Sequence, residues 1–221
     1  LAPNPGSRLA TTPVRTGASA TVLNEIHVPG VELALWRRPL PPILAAWLEA
    51  IPFERLPAGS FLADRSSLAT ATQSLFSTVT PPGVGSRLLI EDIEELAFRF
   101  LRLSGSALVD VRLEAVDDNA CAGFHRDRVS LRLITTYRGP GTQWVAPEHA
   151  PAALRDQQAY RGPIAAFPRH AVGLFRGSRA PGAEGLTHRS PPIEGTEQTR
   201  LLLCLNLPSA TSPPRWSETG H

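Results

Sequence analysis

Residues 109–115 read Val-Asp-Val-Arg-Leu-Glu-Ala: Val109, Val111, Leu113 and Ala115 alternate with Asp110, Arg112 and Glu114. Successive side chains of a strand point to opposite faces, so this stretch is a strand with one buried face. Downstream the period stays near two. Val129, Leu131 and Leu133 alternate with Ser130 and Arg132, Gly139-Pro140-Gly141 marks a tight turn, and the apolar runs 171–175 and 201–207 suit buried strands.

Upstream the period changes. Ile93, Leu96, Ala97, Phe100 and Leu101 share one face of a helix predicted over 91–103, with Glu94, Glu95, Arg99 and Arg102 on the other. Pro41-Pro42 sets up a short helix over 43–51, and residues 66–79 suit another, ended by Pro81-Pro82-Gly83. Residues 28–36 alternate weakly and suit an opening strand. The first two dozen residues are rich in Pro, Gly, Ser, Thr and Arg, as expected of a poorly ordered leader. The expectation is an α+β chain in four parts: a disordered leader over 1–27, a helical support over 28–104, a β core over 105–208 and a tail over 209–221.

The 221 residues suffice for a buried core, and 42% hydrophobic with 19% charged residues is ordinary for a globular protein. All 22 basic residues are arginine, and methionine is absent, which points to a GC-rich, bacterial coding bias. A net charge of +2 without a basic stripe argues against a nucleic-acid partner. No apolar run is long enough to span a bilayer, and no apolar signal-peptide core stands near the start. Cys121 and Cys204 lie far apart outside any CxxC pattern, so a reducing cytoplasm is the simpler expectation.

The chemistry concentrates in Phe124-His125-Arg126-Asp127 and, much later, Leu186-Thr187-His188-Arg189-Ser190-Pro191-Pro192. On an extended chain, residues two apart face the same side, so His125 and Asp127 converge on one point. With His188 they make two imidazoles and a carboxylate on one face of a metal, the facial triad of non-haem Fe(II) oxygenases. His-x-Asp alone is weak. The order of elements around it is more specific: HxD, strand, Gly-Pro-Gly-Thr turn, Gly173-Leu174-Phe175 strand, second His, then a strand opened by Arg200.

That order resembles the double-stranded β-helix (jelly-roll or cupin-like) of Fe(II)/2-oxoglutarate-dependent dioxygenases, especially the prolyl-hydroxylase-like branch, over about residues 108–207. The resemblance implies Fe(II) held by His125, Asp127 and His188, with 2-oxoglutarate as cosubstrate and its distal carboxylate gripped by Arg200. It implies hydroxylation of a substrate, small molecule or protein, that the residues do not name. Tyr137 either offers a hydroxyl to the cosubstrate or packs under the turn. Arg132 faces either the barrel interior or the surface. The turn departs from the family, with Pro140 and Gly141 where Gly and an acidic residue are usual. The whole chain also resembles a bacterial family known as a domain of unknown function, on Leu35-Trp36-Arg37-Arg38-Pro39, on residues 131–144 (LRLITTYRGPGTQW) and on His188-Arg189-Ser190-Pro191-Pro192.

The alternative is a non-catalytic zinc-binding or metal-homeostasis protein using the same three ligands, with Cys121 as an additional ligand. A third reading is a barrel with structural histidines. His149 and His170 are expected in exposed loops, His27 and His221 without a role, Cys204 as a small buried hydrophobe and Trp144 as a core or rim aromatic. Residues 147–162, with a short helix near 152–160, form either a lid or a plain connection.

Overall fold

The computed structural model describes residues 13–76, 82–119 and 121–217. The front of the chain supplies β1 (Val14–Gly17), β2 (Leu33–Trp36) and β3 (Gly59–Asp64), and the helices α1 (Pro42–Ala50), α2 (Leu68–Ser74) and α3 (Val84–Ser104). The back supplies β4 (Leu108–Val116), β5 (His125–Arg126), β6 (Leu131–Arg138), β7 (Gln143–Trp144) and the helix α4 (Ala150–Asp156). It ends with β8 (Ala165–Ala166), β9 (Val172–Arg176), β10 (Thr187–Arg189) and β11 (Arg200–Asn206).

A seven-stranded sheet runs β1-β2-β9-β6-β11-β4-β3, and a four-stranded sheet runs β5-β10-β7-β8. Every pairing of these strands is antiparallel except that of β1 with β2. From β4 to β11 the chain alternates between the two sheets, except at β7–β8, which pair with each other. That is the strand order of an eight-stranded jelly roll.

Side-chain parity shows what covers each face. Leu201, Leu203 and Leu205 of β11 pack with Leu44, Leu48, Leu89, Ile93 and Phe100 of the helices. Leu202 and Cys204, one residue out of phase, join Phe167 and Leu186 on the side of the small sheet. A strand covered on both faces reads as a continuous apolar run, which is why Leu-Leu-Leu-Cys-Leu shows no alternation. Gly173 of β9 lets the layers close up, because a Cβ there would come within 2.3 Å of the Phe167 ring.

Helix α3 buries the stripe Ile93, Leu96, Ala97, Phe100 and Leu101. It stops at Gly105, whose φ of 67° is the left-handed conformation that ends helices. It starts at Val84, earlier than the predicted 91, because Leu89 and the close approach of Gly85 to Trp47 continue the packed face upstream. The second predicted helix is shorter, Leu68–Ser74, and residues 77–79 of that prediction lie outside the described residues.

Two expectations are corrected. The front half is not a helical support: β1, β2 and β3 are strands of the large sheet, interleaved with the helices. Only Phe61 and Ala63 of β3 are buried, too few positions for a period of two to stand out. Residues 13–27 are not a disordered leader, since they form β1 and a 3-10 helix (Ala20–His27) that buries Leu23 and Ile26. Residues 1–12 lie outside the described residues, as does His221. Near the other end, Trp216 N–H donates to the Leu62 carbonyl at 2.8 Å, so part of the predicted tail runs along the edge strand β3. Among the described residues no helix is long and apolar enough to cross a membrane.

Phe100 is fully buried between α3 and the sheet. Phe100→Ala is expected to cost about 3–5 kcal/mol of unfolding free energy, read from the urea midpoint at unchanged m-value.

Candidate metal centre

Strand β5 lies beside β10 with His125 directly opposite His188, so both rings leave the same face of the small sheet. Their centroids are 4.5 Å apart. Asp127, just past β5 and two residues from His125, turns its carboxylate to the same point. One oxygen is 3.5 Å from His125 Nε2 and the other 3.3 Å from His188 Nε2. The three donor atoms lie within 4.8 Å of one another.

The imidazoles are oriented from behind. His125 Nδ1 lies 2.9 Å from the Gly123 carbonyl and His188 Nδ1 3.0 Å from the Leu186 carbonyl. A carbonyl only accepts, so each Nδ1 carries a hydrogen and donates, which leaves Nε2 as the nitrogen that would ligate a metal. His188 is buried and packs edge-on against Phe175, with centroids 5.0 Å apart. Burial alone would raise the Asp127 carboxyl's pKa. The contacts with His125 and His188 and the nearby Arg132 outweigh it and hold the carboxyl well below the usual carboxylate range. Asp127 in turn raises the pKa of His125 against the opposing effect of burial.

A cavity of about 150 Å³ opens beside the triad, lined among others by His125, His188, Arg132, Ser190 and Arg200. Arg200 opens β11 on the cavity face and is 1% exposed. Its Nε donates to the Pro140 carbonyl at 3.0 Å and its Nη1 to Ser190 Oγ at 3.0 Å. Its Nη2 is buried and has no partner among the described residues. Burial lowers the pKa of this guanidinium. Its two hydrogen bonds go to neutral acceptors, while Glu114, which lines the same cavity, acts on it at longer range. A carboxylate bonded directly to Nη2 would relieve the remaining cost of burial.

Arg132 also faces the cavity. Its Nη1 donates to Asp127 at 2.6 Å and its Nε to Asn206 Oδ1 at 2.6 Å. Tyr137 is not brought to the site. It lies on the helix face of β6, fully buried, and donates to Asp92 Oδ2 at 2.6 Å. Arg38 forks onto the same carboxylate. Burial and Asp92 push the Tyr137 hydroxyl pKa well up, as suits a structural donor. Cys121 lines the cavity but is exposed and not one of the converging donors. Cys204 is buried, and burial pushes its thiol pKa up to about 12, so it packs as a neutral group. Neither His149 nor His170 belongs to the donor group.

None of residues 147–162 lines the cavity. The segment braces the approach to the triad instead. Gln157 donates to the Phe124 carbonyl at 3.0 Å, and Tyr160 meets the Phe124 ring edge-on at 5.6 Å.

The family described as a protein of unknown function, DUF1826, matches residues 17–206. The chain belongs to that family. No curated protein matches it. Solved structures similar to the chain include a C-terminally truncated Neurospora crassa protein in apo form, at 14% identity over 86% of each chain with a TM-score of 0.45. Another is the apo Kdo hydroxylase KdoO, a non-heme Fe(II) alphaketoglutarate-dependent dioxygenase, at 12% identity over 88% of this chain and 89% of that one, TM-score 0.48. The same enzyme in complex with alphaketoglutarate and Fe(III) is similar at 12% identity over 88% and 89%, TM-score 0.46. At these identities the likeness says nothing of activity or substrate.

His188→Ala is expected to weaken Co(II) or Zn(II) binding by more than the roughly 10–100-fold that loss of an outer partner costs, with the circular dichroism spectrum preserved. Metal occupancy equal to that of the unmodified protein would remove His188 from the centre.

Proposed function

We propose that the chain is an Fe(II)- and 2-oxoglutarate-dependent oxygenase acting on a C–H bond of a substrate still to be identified. The observation that carries this reading is Arg200, a buried guanidinium whose Nη2 has no partner among the described residues and which lines the cavity together with His125 and His188. The donor set fits the metal: two imidazoles and one carboxylate, gathered on one side, would leave the opposite positions open.

His125, Asp127 and His188 would hold the iron. Arg200 would hold the distal carboxylate of 2-oxoglutarate, for which a planar fork of donors is well matched. Ser190 and the Pro140 carbonyl fix the guanidinium before any ligand arrives, so little rotamer freedom is lost on binding. With both groups bound, such a centre supplies the oxidising chemistry: dioxygen and 2-oxoglutarate become succinate and carbon dioxide while a substrate C–H becomes C–OH. The buried flank formed by His188, Phe175 and Leu202 limits access of water from that side.

A zinc site without turnover would use the same three ligands. It gives no reason for the unpartnered Nη2 of the buried Arg200, and Cys121, which would favour it, is not among the converging donors.

Arg200→Met keeps length and apolar volume but removes the fork. The metal-loaded variant should bind 2-oxoglutarate more weakly by about 2 kcal/mol or more, roughly 30-fold, with metal affinity retained. Calorimetric titration checks this, and unchanged 2-oxoglutarate affinity would contradict the assignment.

A further inference from the structure

The two histidine ligands are oriented by backbone carbonyls, but Asp127 has no such brace. It lies beyond the end of β5, and its main chain is anchored through its carbonyl, which accepts from Ser178 N at 2.8 Å. That contact leaves the carboxylate free to turn. Besides the two histidine rings, whose Nε2 atoms would turn to a metal, the group that holds it is Arg132, through the 2.6 Å bond from Nη1 to Asp127 Oδ2. Arg132 is itself fixed at its other edge. Asn206 stands directly opposite it across the β6–β11 pairing, and Asn206 Oδ1 accepts from Arg132 Nε at 2.6 Å. Asn206 is buried, so this acceptor is not shared freely with water.

We propose that Arg132, braced by Asn206, is a positioning residue that occupies one oxygen of Asp127 so that the carboxylate presents its other oxygen to the metal. The inference rests on the metal reading of the triad but does not need 2-oxoglutarate. Two effects of the guanidinium oppose each other. Its positive charge beside a cation site disfavours metal, while its fork holds the ligand in place. The geometry favours the second effect, because both edges of the fork are engaged and each bond is short for N–H···O. Strand β11 then serves the site twice, with Arg200 lining the cavity at its start and Asn206 holding Arg132 at its end.

The two effects predict opposite signs, which makes them separable. The apo protein and its variants are titrated with Co(II) alone, following the affinity and the visible d–d bands, with the apo melting temperature recorded for each. Arg132→Gln should bind Co(II) about tenfold or more weakly, with altered bands. Arg132→Lys keeps the charge but cannot bridge Asp127 and Asn206 with one planar fork, so it should be weakened as well. Asn206→Leu should show the same loss through Arg132, while Asn206→Asp, which still accepts from Nε, should bind as tightly as the unmodified protein. Arg132→Gln binding Co(II) as tightly or more tightly would overturn the proposal, as would full affinity in Arg132→Lys. If Arg132→Gln fails to fold, the contrast between Asn206→Leu and Asn206→Asp decides, and equal affinity in those two overturns it. An unmodified protein that binds no Co(II) would instead sink the metal centre itself.

Discussion

The pairing of β5 with β10 sets His125 beside His188, and most of the site follows from that contact. The two strands are far apart in the chain and are only two and three residues long, too short to hold each other unaided. They are kept together by the sheet behind them. Phe175 of β9 supports the His188 ring, and Leu186, just before β10, packs into the cluster with Leu202 and Phe175. The jelly roll supplies this geometry because its consecutive strands alternate between sheets, bringing residues from opposite ends of the β region to one mouth.

Strand β11 divides the molecule's two concerns. Leu201, Leu203 and Leu205 lock the sheet to the helices, where burial supplies stability. Arg200, Leu202 and Cys204 line the cavity on the other side, and Asn206 accepts there from Arg132. Polar groups at both ends of that face are tolerated because each is hydrogen-bonded, to Pro140 and Ser190 at one end and to Arg132 at the other. The exception is Arg200 Nη2, which is buried and has no hydrogen-bond partner among the described residues.

How much of this was legible varies with the range of the interaction. The HxD geometry is local and follows from the two-residue repeat of an extended chain. The helix stripe of α3 is equally local. His188 and Arg200 come from the order of elements after HxD, and the structure brings both to the cavity with His125. Tyr137 fails on parity: counting in twos from Leu131 and Leu133 puts it on the helix face, where Asp92 receives it. The sequence does not decide between interior and surface for Arg132, because Asn206 meets it only across the folded sheet and Asp127 only through the turn between β5 and β6. Asn206 itself left one faint signal, a polar residue closing an otherwise apolar run. Strands β1 and β3 were hidden by brevity, and β1 also by the Pro/Thr/Gly-rich stretch around it.

The central claim is that one cavity holds a metal and an anionic cosubstrate together. Anaerobic titration of the apo protein with Fe(II), followed by 2-oxoglutarate, tests it most directly. A weak visible metal-to-ligand charge-transfer band appearing on the second addition is the predicted result, since it requires 2-oxoglutarate bound to the iron. Iron binding with no such band at saturating 2-oxoglutarate would contradict the account and leave a metal site without the proposed cosubstrate.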